Sequence, residues 1–292
     1  WIATCNPLYV YSEVHYFRTN GGSNQGMTQE SIWPLIRDTK VPKGGVHIWW
    51  LRQAGFVIKS PGGYTVAIDA YLTNSVMTSY NVPRGYPAPL SPEESEFDAV
   101  MATHPHDDHI DPEAVIPFSK HPKTKFIGPF SVIKLARAGG FYGERGVILN
   151  RGETTEIGDI TIEAVFARHM FEPEPTPDAI SYIITVGKWR IYHSGDTEYD
   201  ARIVDDTEGR VDVSLICING VTGNMDTKEA GFLAWRQGCK VAVPMHWGLW
   251  PAETDAESGA TLDLDEFVDT YRALKPGGEV WIPEIGKPLE ML

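Results

Sequence analysis

The sequence predicts an α/β protein in which two packed β-sheets are covered on the outside by helices. Three observations carry that expectation. Short apolar runs of strand length recur between residues 46 and 244, several of them bounded by Gly and Pro turns. Stretches with helical periodicity break these runs, and strands and helices alternate twice along the chain. Finally, 292 residues can bury a full core without disulfide or metal staples.

Taken in order, residues 1–45 are mixed in character, rich in Gly, Ser and Asn over Thr19–Gly26, with a helical stretch near Gln29–Arg37. They read as an N-terminal extension packed on the main domain, or as a contact for a homo-oligomer. The main domain is expected over residues 46–292. Val46–Leu51, Gly55–Lys59 and Tyr64–Ala70 read as a β-meander, with Ser60-Pro61-Gly62-Gly63 as one of its turns. Residues 71–96, rich in Pro, Ser and Tyr, form a loop long enough to serve as a lid or pocket wall. Asp98–Thr103 is a buried strand, Asp111–Ser119 a helix, Lys125–Gly128 a strand and Ser131–Gly139 a helix. Strands follow at Thr154–Glu156, Thr161–Ala167 and Ser181–Val186, the last two separated by an acidic, Pro-rich loop over residues 172–178. Trp189–His193, Val211–Ile218 and Lys240–Pro244 are further strands, and Thr227–Gln237 and Leu264–Leu274 are helices.

Composition narrows the function. The chain has 25 basic and 39 acidic residues, a net charge of −14, which argues against binding nucleic acid or an anionic membrane surface. Cys5, Cys217 and Cys239 are widely spaced and form no C-x-x-C pair, so neither a disulfide framework nor a thiolate zinc site is indicated. A cytoplasmic location and a small-molecule substrate are the expectation. No apolar run of 18 residues appears, so no transmembrane helix is expected. Against this acidic background stand nine histidines, three of them within six residues.

That cluster is His104-Pro105-His106-Asp107-Asp108-His109, directly after the Asp98–Thr103 strand. A turn at a strand end can aim the alternate imidazoles His104 and His106 at one point and carry Asp108 and His109 to a neighbouring one. Imidazoles with a carboxylate suit one or two divalent ions, Zn or Mn first and Fe as a further option. His169 and His246 also follow predicted strands and His193 ends one, and ligands on successive strand ends converge at one edge of a sheet sandwich. His15, His47 and His121 read as structural or solvent-exposed.

The intact pattern His104-x-His106-x-Asp108-His109 resembles that of the metallo-β-lactamase-fold hydrolases. Four stretches carry the resemblance: HIWWLRQAGFVIKSPGGYTVAIDA at residues 47–70, MATHPHDDHID at 101–111, RIYHSGDTEYD at 190–200 and VAVPMHWGLW at 241–250. Within that superfamily the chain looks most like the branch containing L-ascorbate-6-phosphate lactonase. The resemblance implies a four-layer αβ/βα sandwich. It also implies a first metal held by His104, His106 and His169, a second by Asp108, His109 and His246, and Asp196 between them. His193 is then a group around the site with a catalytic part, and Asp108 would orient the nucleophile and relay its proton. Divalent ions lower the pKa of water and polarise a carbonyl, so no serine or cysteine nucleophile is needed.

The expected reaction is the opening of a lactone or related cyclic ester. Cyclic-amide hydrolysis and phosphodiester cleavage on the same ligands are the enzymatic alternatives, and a metal-binding scaffold or sensor the non-enzymatic one. The loops 71–96, 172–178 and 247–260 are the expected pocket walls, bringing Tyr71, Tyr80, Tyr86, Trp247 and Trp250. An anionic substrate would need a cation, for which Arg84, Arg168 and Arg202 are candidates. Arg52, followed by Gln53, stands where many relatives carry glycine; it either enters the pocket or points to solvent from a strand end.

Overall fold

A computed structural model describes residues 30–171 and 173–292. Most of the expected N-terminal extension, with Cys5 and His15, lies outside the described residues, as does Glu172. The described part consists of two seven-stranded sheets. The first contains β1 (Val46–Trp50), β2 (Phe56–Lys59), β3 (Thr65–Ile68), β4 (Ala99–Met101), β5 (Lys125–Gly128) and β6 (Gly146–Ile148). The second contains β7 (Thr154–Ile157), β8 (Ile160–Phe166), β9 (Ile180–Val186), β10 (Trp189–His193), β11 (Val213–Cys217), β12 (Val241–Met245) and β13 (Glu279–Val280). The last strand, β14 (Leu289–Met291), returns to the first sheet and pairs antiparallel with β1, Val46 opposite Met291.

The two-residue period of a strand explains the layering. In β1, Val46, Ile48 and Trp50 join the core between the sheets, whereas Trp49 and the following Leu51 join the core beneath the outer helices. The same division separates Phe56 and Ile58 from Val57, and Val66 and Ile68 from Ala67. Both faces are covered, so these strands read as continuous apolar runs. The helices Trp33–Asp38 and Phe130–Ala138 cover the first sheet through Trp33, Ile36, Val132 and Ile133. Thr227–Gln237 and Leu264–Leu274 pack beside each other through Ala230, Leu233, Phe267 and Tyr271. The four-layer αβ/βα sandwich expected from the sequence is the observed architecture. Truncating a fully buried side chain such as Ile48 to alanine would cost about 2–5 kcal/mol.

Most predicted elements lie within a residue or two of the observed ones. One differs in a way that matters to the site. The expected helix Asp111–Ser119 is two pieces, Asp107–Ile110 and Val115–Ser119. Asp111 adopts the left-handed conformation at φ 48° and ends the first piece, and Pro112 follows it. Its buried carboxylate accepts hydrogen bonds from the Leu72 and Thr73 amides at 2.7 and 2.9 Å, locking the motif helix to the loop after β3. Burial pushes this carboxyl up to about 6, against those hydrogen bonds. The helix therefore starts one turn earlier than expected, within the histidine motif. Two further short helices, Ser75–Tyr80 and Ala252–Ser258, lie in segments expected to be loops.

Candidate metal centre

Strand ends build the site. Asp69, just after β3, accepts hydrogen bonds from the Thr103 amide and hydroxyl, both at 2.8 Å, which fixes the exit of the chain from β4 into His104. The turn after β10 packs on this same point. Gly195 lies at φ 56°, and a Cβ there would meet the Thr103 side chain at 2.6 Å, so only glycine lets Asp196 approach. His246 follows β12 at φ 66°, and His169 follows β8.

These ends bring together all seven residues expected to hold metal. His104 Nε2 lies 3.0 Å from His106 Nδ1, and His169 Nε2 lies 3.3 Å from that same atom. Asp108 Oδ2 is 3.8 Å from both His109 Nε2 and His246 Nε2. Asp196 Oδ1 stands between the groups, 3.3 Å from His109 Nε2 and 3.1 Å from His246 Nε2. Ligand atoms of His104, His109 and Asp196 lie within 4.8 Å of one another.

The donor set fits divalent cations. Three imidazole nitrogens facing one point cannot all satisfy one another as neutral rings, whereas a shared cation takes all three lone pairs. His109 Nε2 and Asp196 Oδ1 are buried without a hydrogen-bond partner, an expensive state for polar atoms unless something binds them. Their other atoms are engaged from behind. Asp69 Oδ2 is 2.9 Å from His109 Nδ1, and the Asn224 amide donates to Asp196 Oδ2 at 2.8 Å. Such outer partners orient metal ligands and fix the tautomer.

The two groups differ in charge. Burial pushes the His104 and His169 imidazoles down, keeping them neutral and their lone pairs available. Burial, the largest single influence, opposes charge on His109 and His246 as well, but Asp196 and Asp108, with Asp69 beside His109, together outweigh it and raise both. Burial also opposes ionisation of Asp196, yet His246 and His109 hold it well below the ordinary carboxylate range.

Over this edge opens a cavity of about 330 Å³ with His106, Asp108, Asp196 and His246 at its base. Val76 and Tyr80 come from the 71–96 segment, Glu174 from the 172–178 loop, and Trp250 and Asp255 from the 247–260 segment. All three expected wall segments contribute. Tyr86 and Trp247 line a neighbouring cavity instead.

Several expected roles change. His193 is fully buried, with Nε2 2.8 Å from the Ala54 carbonyl and Nδ1 accepting from the Gly195 amide at 3.1 Å. With both ring nitrogens engaged by backbone and no face on the cavity, it supports the turn that carries Asp196 rather than taking part in catalysis. Arg52 neither enters the metal pocket nor points freely to solvent. Its guanidinium donates to the Gly248 carbonyl at 3.0 Å and stacks 4.4 Å from the Tyr86 ring centroid. Arg84 donates to the Tyr71 and Tyr86 carbonyls, Arg168 pairs with Glu198, and Arg202 pairs with Asp200, so none of the three serves the cavity. Asp69 and Asn224 are site residues missed from the sequence, whereas Gln53, left open there beside Arg52, turns its side chain to Asp108 and His246. An acid ending the apolar run of β3 was the available signal for Asp69.

A protein-family model for the beta-lactamase superfamily domain matches residues 47–246. A metal-dependent hydrolase of Anaeromyxobacter dehalogenans is 30% identical over 263 residues, spanning 86% of this chain and 88% of that one. A probable L-ascorbate-6-phosphate lactonase of Salmonella heidelberg is 26% identical over 74% of this chain and 73% of its own. Among solved structures, a metallo hydrolase from Ignicoccus hospitalis aligns with a TM-score of 0.64 at 21% identity, covering 85% of this chain and 99% of that one. With its fold, its histidine-rich edge and these relatives together, the chain belongs to the beta-lactamase superfamily as one of its metal-dependent hydrolases.

Proposed function

We propose that the protein opens lactones or related cyclic esters on two divalent ions, Zn or Mn, one held by His104, His106 and His169 and the other by Asp108, His109 and His246, with Asp196 between. A divalent ion bound there lowers the pKa of water and polarises an ester carbonyl. The chain's own groups do the rest. Asp108, part-exposed at the base of the cavity, is placed to orient the attacking water, take its proton and return it to the alkoxide as the ring C–O bond breaks. The product is the ring-opened hydroxy acid.

The character of the cavity wall carries the choice of substrate. Val76, Val82, Phe171 and Trp250 supply apolar surface, and Asp107, Glu174 and Asp255 add carboxylates. Such a wall favours an uncharged cyclic ester over a phosphodiester or a phosphorylated sugar lactone, because a phosphate would face carboxylates across a partly desolvated space. The Salmonella relative is named for a phosphorylated lactone; for this chain the wall supports a neutral counterpart. The net charge of −14 likewise supports a small molecule rather than nucleic acid or an anionic membrane as partner. Among the described residues no helix is long and apolar enough to cross a membrane, and a cytoplasmic setting is part of the same proposal.

The test is a panel of neutral lactones, phosphorylated lactones, cyclic amides and bis-nitrophenyl phosphate, each with metal-loaded and chelator-treated protein. Neutral lactones should give the highest kcat/KM, with loss of turnover on chelation. Cleavage of the phosphodiester alone would overturn the reading, and preference for cyclic amides would replace the ester with the amide.

A further inference from the structure

We infer that Gln53 is a positioning residue for the second metal pocket, holding Asp108 in place for binding. The inference rests on the two-pocket reading above. It begins with the backbone. Arg52 and Gln53 are consecutive non-glycine residues in the left-handed region, at φ 78° and φ 47°. Each such residue carries backbone strain and persists only where its surroundings fix it.

Here they are fixed to the loop that carries His246. The Gln53 amide donates to the Trp247 carbonyl at 3.0 Å, and the His246 amide donates to the Gln53 carbonyl at 3.0 Å. The Trp50 indole N–H donates to that carbonyl too, at 2.9 Å. The β1–β2 turn and the His246 loop are thus clamped by reciprocal backbone hydrogen bonds. The clamp aims the Gln53 side chain inward, where it is 2% exposed.

Its amide nitrogen donates to Asp108 Oδ2 at 2.5 Å and lies 3.2 Å from His246 Nε2. Among the described residues, Gln53 is the one hydrogen-bond donor to the Asp108 carboxylate. Asp108 needs that anchor more than its neighbours do. Its side chain is 20% exposed, against 0% for His109 and 7% for His246, so packing alone does not hold its rotamer. By contrast, His109 and Asp196 have their own anchors in Asp69 and Asn224. Gln53 therefore does for Asp108 what those two do for their partners.

The variants follow from the backbone. Asn and His are among the residues that tolerate positive φ best, so neither strains the turn. Gln53→Asn withdraws the amide by one bond length, about 1.5 Å, and breaks the contact. Gln53→His restores a ring N–H within reach of Asp108. The measurement is a titration of chelator-treated protein with Zn²⁺ against a chromogenic chelator, giving two stepwise constants, together with the melting temperature of the metal-free forms.

Gln53→Asn should leave the first-pocket constant unchanged and weaken the second-pocket constant about 10–100-fold, the usual cost of losing an outer partner. Gln53→His should recover most of that loss, and both metal-free variants should melt close to the parent. Two unchanged constants, equal weakening of both, or no recovery with histidine would each overturn the inference. A parent protein that takes up fewer than two zinc ions would overturn the two-pocket reading itself, which keeps the two failures distinct.

Discussion

The two halves of the metal edge both rest on buried imidazoles and yet differ in kind. The His104, His106 and His169 pocket is all imidazole; its buried rings are pushed toward the neutral state, ready for a cation. The Asp108, His109 and His246 pocket contains a carboxylate, and Asp196 raises both of its imidazoles toward the protonated state. One pocket is organised by burial and the other by charge. A cation entering the second must displace protons, and it depends on outer partners, Asp69 and Gln53, to hold its ligands.

The largest expected effect comes from the residue the pockets share. Asp196→Ala should reduce both zinc affinities and lower lactone hydrolysis by about 100-fold or more, beyond the usual range for an outer partner. Full retention of either affinity would show that Asp196 serves one pocket alone. Next, His169→Ala and His246→Ala should separate the halves, each abolishing tight binding of one ion while sparing the other, as read by metal content after dialysis. Loss of both ions from either variant would dissolve the distinction.

The third effect is on pH. The imidazoles of His109 and His246 have raised pKa values without metal, so protons compete with the ion as pH falls through those values. Second-pocket affinity should then drop by about tenfold per pH unit for each proton displaced. The first pocket, with His104 and His169 pushed down, should hold its affinity to lower pH. Parallel slopes for the two constants in zinc titrations across neutral to mildly acidic buffers would contradict the contrast. The smallest effect is expected at Arg52, which lies against Gly248 and Tyr86 away from the ligands. Arg52→Ala should leave kcat/KM unchanged and cost about 1 kcal/mol of stability by denaturant titration.

The ligand cluster was legible because it is local. His104, His106, Asp108 and His109 occupy one turn, and their spacing alone points to two neighbouring points of convergence. The strands were legible because burial on both faces leaves apolar runs such as Val46–Trp50 and Val213–Cys217. Where the site depends on contacts far apart in sequence, nothing local marks it. The Gln53 amide meets Asp108 across 55 positions and His246 across 193. His193 shows the converse: its place at a strand end matches that of a ligand, but its ring packs edge-on to Phe56 within the interior. The short helices Ser75–Tyr80 and Ala252–Ser258 span six and seven residues, too few for a period to emerge. The break at Asp111 was hidden because it depends on the Leu72 and Thr73 amides, far away in sequence, donating to that carboxylate.

The most direct measurement is anomalous X-ray scattering from crystals of the chelator-treated protein soaked in excess Zn²⁺. Two peaks are expected, one among His104, His106 and His169 and one among Asp108, His109 and His246, with Asp196 between them. A single peak, or zinc bound away from these residues, would contradict that expectation.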